Sequence, residues 1–293
     1  ISCLPNASVQ FTNLSTVPNG APTSLTYLWD FGDPGSGTVN NSTITDPAHV
    51  YINLGPYNIN LEATTAEGCI HDTTIVLNTI HPQPQASFTT DFIDVCIGSP
   101  FLFTSTSNGA DGTISQYHWN MGDASIRTLN SFSYTYADTG AYTINHYIIN
   151  SFGCSSNVAT KTVFVNGYPD ADAGPDKLML EGGQCQITPP NNYPMPVAFA
   201  WTPSTYLDDP TRLDPIARPP DDITYTLTVT SDKGCQTSDK VFVKVLKSVE
   251  IPNVFSPNGD GINDEFLVKT DFPYTIVIMN RWGNVVYEGT ETS

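Results

Sequence analysis

Three Gly-Cys pairs, Gly68-Cys69, Gly153-Cys154 and Gly234-Cys235, recur along this chain at a pitch of 85 and then 81 residues. Each follows a tryptophan (Trp29, Trp119, Trp201) and a strand led by tyrosine, and each precedes a closing apolar run. A period of this length means one small unit repeated. Inside the unit the pattern has period two: Tyr57, Ile59 and Leu61 alternate with Asn58, Asn60 and Glu62, and Tyr225, Leu227 and Val229 alternate with Thr224, Thr226 and Thr228. Such strands bury one face and wet the other, as in an antiparallel sandwich. Closing strands are expected at 74–77, 162–165 and 240–245, and no segment carries a convincing helical period. The expected fold class is all-β, with tandem β-sandwiches at 1–80, 81–167 and 168–247 and a small, incomplete β domain at 248–293. The opening Ile1-Ser2-Cys3 reads as an entry into the middle of a sandwich whose N-terminal strand lies upstream. The chain is therefore expected to be the mature C-terminal portion of something longer.

The six cysteines, Cys3, Cys69, Cys96, Cys154, Cys185 and Cys235, lack the close spacing of a zinc site. Taken as sequential pairs they give one bridge per unit: Cys3 with Cys69, Cys96 with Cys154, Cys185 with Cys235. Other connectivities stay open, because sequence does not fix pairing. Loops of this length are worth roughly 4 kcal/mol each in the chain-entropy model, and bridges imply an oxidising, extracytoplasmic setting. The net charge of −18 disfavours nucleic acid and anionic membranes as partners. It reads as solubility and self-repulsion, with divalent cations as the sharper alternative. No apolar run is long enough for a transmembrane helix, and no basic-then-apolar leader opens the chain.

One tryptophan per cysteine pair, on short strands, resembles the immunoglobulin-like sandwich, so each Trp is expected in a core rather than stacked on carbohydrate. Tyr27-Leu28-Trp29-Asp30-Phe31-Gly32-Asp33, with His49-Val50-Tyr51 and Gly55-Pro56-Tyr57 after it, resembles the signature of PKD domains. The second unit is a worn copy: Trp119-Asn120-Met121-Gly122-Asp123, then Tyr134-Thr135-Tyr136 and Gly140-Ala141-Tyr142. Asn120 in place of Asp30 keeps a turn-shaping hydrogen bond but loses the charge, so a turn is preferred to a metal ligand. The third unit lacks the signature and resembles the Ig-like repeats that precede sorting tails in secreted Bacteroidetes proteins. Asp170, Asp172 and Asp176 at its start fit a solvated junction or a calcium site.

Sequence motifs for catalysis are absent, and paired carboxylates for glycoside hydrolysis stay open because spatial pairs do not show in sequence. The five histidines have no spaced partners, no Gly-x-Ser-x-Gly elbow or phosphate loop occurs, and no free thiol is expected. No enzyme is expected.

The tail is the distinctive stretch. Ser256-Pro257-Asn258-Gly259-Asp260-Gly261-Ile262-Asn263-Asp264 precedes Asn280-Arg281-Trp282-Gly283. The first segment partly fits a calcium loop, with ligands from Asn258, Asp260, the Ile262 carbonyl and Asp264. Leu267 stands where the template has a bidentate Glu, and a turn rich in Gly and Asn explains the same letters. Residues 274–279 and 284–287 read as a hairpin around Arg281-Trp282, one that is marginal alone without a third strand. Both motifs, in this order, resemble the gliding-motility-associated C-terminal domain, the type B sorting domain of the Bacteroidetes type IX secretion system. The resemblance implies export to the cell surface and reading of the tail by the translocon or a PorP/SprF-like outer-membrane barrel protein. SprB-like gliding adhesins combine such tails with repeat arrays. The expectation is a non-catalytic, extracellular, outer-membrane-associated gliding or adhesion protein that meets a surface polysaccharide, a host or a substratum. A stalk of a secreted hydrolase and a surface-filament subunit are the alternatives.

Overall fold

The computed structural model describes residues 2–17, 24–190, 193, 196–247, 250–254, 256–262, 264–270 and 273–291. The fold is almost entirely β, in two compact units, 1–165 and 166–293.

The first sandwich holds β1 (Ser2–Cys3), β2 (Ala7–Gln10), β3 (Thr26–Asp30), β4 (Asn41–Ser42), β5 (Ala48–Tyr51), β6 (Tyr57–Thr64), β7 (Ile70–Leu77) and β8 (Ile80–His81). One sheet runs β4-β3-β6-β7; β2 pairs with β5 across from it, and β1 runs parallel to β8. The alternation in β6 buries Tyr57, Ile59 and Leu61 against Trp29, Phe31, Phe11 and Tyr51, as the sequence pattern requires.

The second sandwich holds β9 (Phe88–Thr90), β10 (Asp94–Cys96), β11 (Phe101–Ser105), β12 (Ile114–Asn120), β13 (Ile126–Arg127), β14 (Ser131–Tyr134), β15 (Gly140–Asn150) and β16 (Ala159–Asn166). Its sheets are β10-β16-β15-β12-β13 and β14-β11-β9. Trp119, Phe88, Phe101, Phe103 and Ile144 fill the space between them. In the second compact unit lie β17 (Lys177–Leu180), β18 (Cys185–Gln186), β19 (Val197–Thr202), β20 (Ile216–Ala217), β21 (Ile223–Ser231) and β22 (Gln236–Leu246). The sheet β17-β22-β21-β19 closes over Trp201, Tyr225, Leu227 and Val243. All three tryptophans are core residues, as expected. The tail adds β23 (Tyr274–Met279) and β24 (Val285–Glu291), an antiparallel pair.

The PKD-type signature is accounted for by local geometry. Asp30 accepts the Gly32 amide at 2.9 Å and Asn120 accepts the Gly122 amide at the same distance, so the two residue types make one turn. Gly32 and Gly122 sit at φ +66° and +85°, and a Cβ on Gly32 would meet the Asn58 carbonyl oxygen at 2.3 Å. The Tyr51 hydroxyl donates to the Phe31 carbonyl, and Tyr136 does the same to Met121. Asp33 meets the buried His49 Nε2 at 3.1 Å; in the worn copy Asp123 accepts from the Tyr134 hydroxyl at 2.6 Å. Both Asp residues of the motif are absorbed by structure.

The cysteine pairing differs from expectation. Cys3 is bridged to Cys154, across 151 residues and between sandwiches; Cys96 and Cys235 are also disulfide-bonded, while Cys69 and Cys185 are free. The reason is polar placement. In the first sandwich the Gly68-Cys69 turn closes one end of the β6–β7 hairpin. Leu77 ends the hairpin at the opposite pole, eight residues away, and leads into β8. Cys3 lies beside β8, so it is roughly 25 Å of strand from Cys69. At Cys3's own pole stands the second sandwich's Gly153-Cys154 turn. The free Cys69 and Cys185 correct the expectation of three intramodular bridges. The segment 81–85 that joins the two sandwiches is clamped too. His81 stacks on Phe152 at 3.9 Å and its Nδ1 meets Asp111 at 2.7 Å; its carbonyl accepts the Leu4 amide, and Gln85 bridges Asn108.

Candidate functional site

The tail is the part of the chain that its own packing does not consume. None of its described residues joins the three apolar cores. Along β23–β24 and around it, Val277, Met279, Trp282, Val285, Val286 and Tyr287 are exposed. A two-stranded ribbon has two open edges and no opposing sheet, so these side chains have nothing within the ribbon to bury against.

The hairpin turn has a defined build. Asn280 Oδ1 accepts the amides of Trp282 and Asn284, both at 3.0 Å, and the Gly283 amide closes on the Asn280 carbonyl at 3.0 Å. Gly283 takes φ +81°, the left-handed conformation that glycine adopts without strain. The turn therefore holds Trp282 outward, 70% exposed, with the Arg281 guanidinium 4.1 Å above its ring. This is a cation–π pair at a surface, presented on a rigid turn.

The same turn occurs in each sandwich. Thr65, Asn150 and Ser231 take the place of Asn280; each offers its side-chain oxygen to the amide four residues on, at Cys69, Cys154 and Cys235. Gly68, Gly153 and Gly234 match Gly283, and Asn284 stands where the sandwiches have cysteine. The signal that unites the tail turn with the sandwich turns is x-x-Gly following an oxygen-bearing side chain.

The Asp-rich loop is a carboxylate-centred turn. Asp264 Oδ1 accepts the amides of Asn258 and Gly259 at 2.9 and 2.8 Å, and its Oδ2 accepts that of Gly261 at 2.7 Å. Asp260 accepts the Ile262 amide at 2.8 Å and the Asn258 side-chain amide at 2.9 Å. Backbone donation from Gly259 and Gly261 holds the Asp264 carboxyl below its usual range, and the Ile262 amide does so for Asp260. Ser256 Oγ reaches the Ile262 carbonyl, a group the calcium template would turn toward the ion. The oxygens of this loop face N–H and O–H donors, the arrangement of a turn. Asn263 lies outside the described residues. Pro257 adjoins the loop without a donor, as proline must. The loop and the hairpin turn sit in one tail, at 256–262 and 280–283. Among the described residues no group of three or more His, Cys, Asp or Glu forms a metal cluster. Asp172 and Asp176 at the third sandwich's start accept the amides of Gly174 and Phe242.

Comparison with known proteins gives two family matches. The model described as PKD domain matches residues 3–80 and 81–165, and the model described as CHU_C Type IX secretion signal domain matches 249–293. The pre-pro-metalloprotease PrtV of Vibrio cholerae serotype O1 is 27% identical over 156 residues, which is 53% of this chain and 16% of that protein. The chain thus spans about a sixth of that curated relative. Among solved structures, the PKD1 domain of Vibrio cholerae PrtV is 24% identical with a TM-score of 0.26, over 29% of this chain and 98% of that one. A Ca2+-stabilized adhesin with which an Antarctic bacterium binds ice is 13% identical with a TM-score of 0.39, over 98% and 93%.

Proposed function

Because the chain belongs to the PKD domain family and ends in a type IX secretion signal domain, a combination that supports a secreted, non-catalytic surface protein, we propose that it is the C-terminal part of an SprB-like gliding or adhesion protein of a Bacteroidetes cell. The sandwiches are cargo and spacer; the tail is the address. The observation that carries this reading is the outward Arg281–Trp282 pair on a ribbon with two open edges, inside the segment that matches the secretion signal. An exposed Trp beside an Arg is the composition of an interface hot spot, and an open strand edge accepts a partner's strand. The translocon or a PorP/SprF-like outer-membrane barrel protein is the partner that reads it, at the cell surface. Arg281→Ala with Trp282→Ala is expected to leave the melting temperature unchanged, because both side chains are outside every core. Surface display in a cell with type IX secretion is expected to fall by more than about tenfold, as when an interface loses a residue worth about 2 kcal/mol. Display at the parental level would overturn the assignment of that pair.

The tail loop holds its shape through Asp260 and Asp264, and calcium is not required in this reading. A surface polysaccharide, a host or a substratum is what the displayed sandwiches meet. A second reading is supported by the match to a pre-pro-metalloprotease: the sandwiches form the non-catalytic stalk of a secreted hydrolase. A hydrolase domain encoded upstream of residue 1 would favour it, and long repeats there would favour the adhesin.

A further inference from the structure

We propose that the Cys69 turn is a covalent docking point for a further β-sandwich on the N-terminal side of this chain, and that the polypeptide joining the two lays a strand into the groove beside Trp29. The proposal stands apart from the secretion reading and rests on two independent comparisons within the molecule.

The first is chemical. Cys69, Cys154 and Cys235 occupy one position in three turns with the same hydrogen bonds, and Cys154 and Cys235 are both disulfide-bonded and buried. Cys154 takes its bridge from Cys3, a cysteine in the opening strand of the sandwich before it. Cys69 presents the same thiol at the same pole of its own sandwich, exposed. The partner that fits is therefore an opening-strand cysteine of a preceding sandwich. Bridging joins two thiols as one S–S bond with loss of two protons and two electrons, taken up by the thiol-oxidising machinery that an extracytoplasmic setting provides.

The second is steric. In the second sandwich β9 pairs with β11, setting Thr89 opposite Thr104. It places Phe88 against Trp119 at 5.2 Å, His146 at 5.9 Å and the Lys161 ammonium at 5.2 Å. Strand register and the shared motif make Thr12, Trp29, Leu61 and Ile75 the equivalents of Thr104, Trp119, His146 and Lys161. All four line a single groove of about 730 Å³ in the first sandwich, and the same groove reaches Cys69. Ile75 is exposed there. The occupant that matches is a strand with an aromatic or large apolar residue in the place of Phe88, on the segment that leads into β1.

The test is disulfide mapping of the full-length protein taken from the cells that make it. Cells are treated with N-ethylmaleimide before lysis, and the protein is digested without reduction and read by mass spectrometry. The expected result is the Cys69 peptide linked to a cysteine peptide from upstream of residue 1. Maleimide on Cys69, a link to Cys185 of a second copy, or a small-thiol adduct would each overturn the proposal. A second measurement addresses the groove. The 1–293 chain extended upstream through one complete sandwich is expected to melt at a higher temperature than 1–293 itself. It should also quench maleimide labelling of Cys69, which is expected to be quantitative in 1–293. Equal labelling of Cys69 in both chains would sink the idea.

Discussion

Asp30 and Asn120 show how far a single signature residue can be interpreted from chemistry. Both accept a glycine amide two residues on, so the shared property is the side-chain oxygen and not the charge. Asp30→Asn is expected to change the stability of the first sandwich by no more than about 0.5 kcal/mol, whereas Asp30→Ala should cost about 1 kcal/mol through the lost turn bond. Urea denaturation of both variants checks the pair. His146 is a different case. It is buried where the first sandwich has Leu61, stacks on Trp119 at 3.8 Å and meets Ser105, Ser107 and the His118 carbonyl. Burial pushes its pKa down from 6.5. The folded ring thus stays neutral where the unfolded chain's imidazole takes a proton. Stability is complete above about pH 6.5 and declines as pH falls through that value toward the depressed folded one. Urea midpoints between about pH 7.5 and pH 5.5 should fall for the parent chain and fall less for His146→Leu. An equal fall in both would show that another group governs the acid response.

At the scale of elements, the strands and their faces were legible in the sequence because burial alternates with period two along β6, β15 and β21. The hairpin around Arg281-Trp282 was legible for the same reason, as was the core placement of Trp29, Trp119 and Trp201. The disulfide pairing was not. Sequential pairing assumes that the opening strand and the Gly-Cys turn share a pole, and the length of β6–β7 puts them at opposite ends. Nor was the kinship between the tail turn and the sandwich turns legible, because Asn284 replaces the cysteine that marks the others. The Asp-rich loop looked ambiguous in sequence, since carboxylates that hold a turn and carboxylates that hold calcium are the same letters. With Asp264 accepting three backbone amides, the loop is expected to keep its form without an ion. Adding EGTA to the 1–293 chain should leave the melting temperature unchanged; a fall of several degrees would reveal a structural ion.

For the whole molecule, the Cys3–Cys154 bridge and the His81–Phe152–Asp111 contact make the first two sandwiches one mechanical body. A closed loop of this length is worth about 5 kcal/mol in the chain-entropy model. Cys3→Ser is therefore expected to split a single calorimetric transition of that body into two, with the first sandwich melting earlier. Coincident melting in the variant would mean that the noncovalent contact suffices. Stiff, bridged sandwiches suit a cargo that must hold its reach outside the cell, and the exposed tail suits an element that something else must recognise. Deleting residues 251–293 and locating the protein by antibody on intact cells, against periplasmic fractions, tests that division of labour directly. The account predicts sandwiches that are folded and bridged but retained in the periplasm. Truncated protein on the cell surface at the parental level would contradict it.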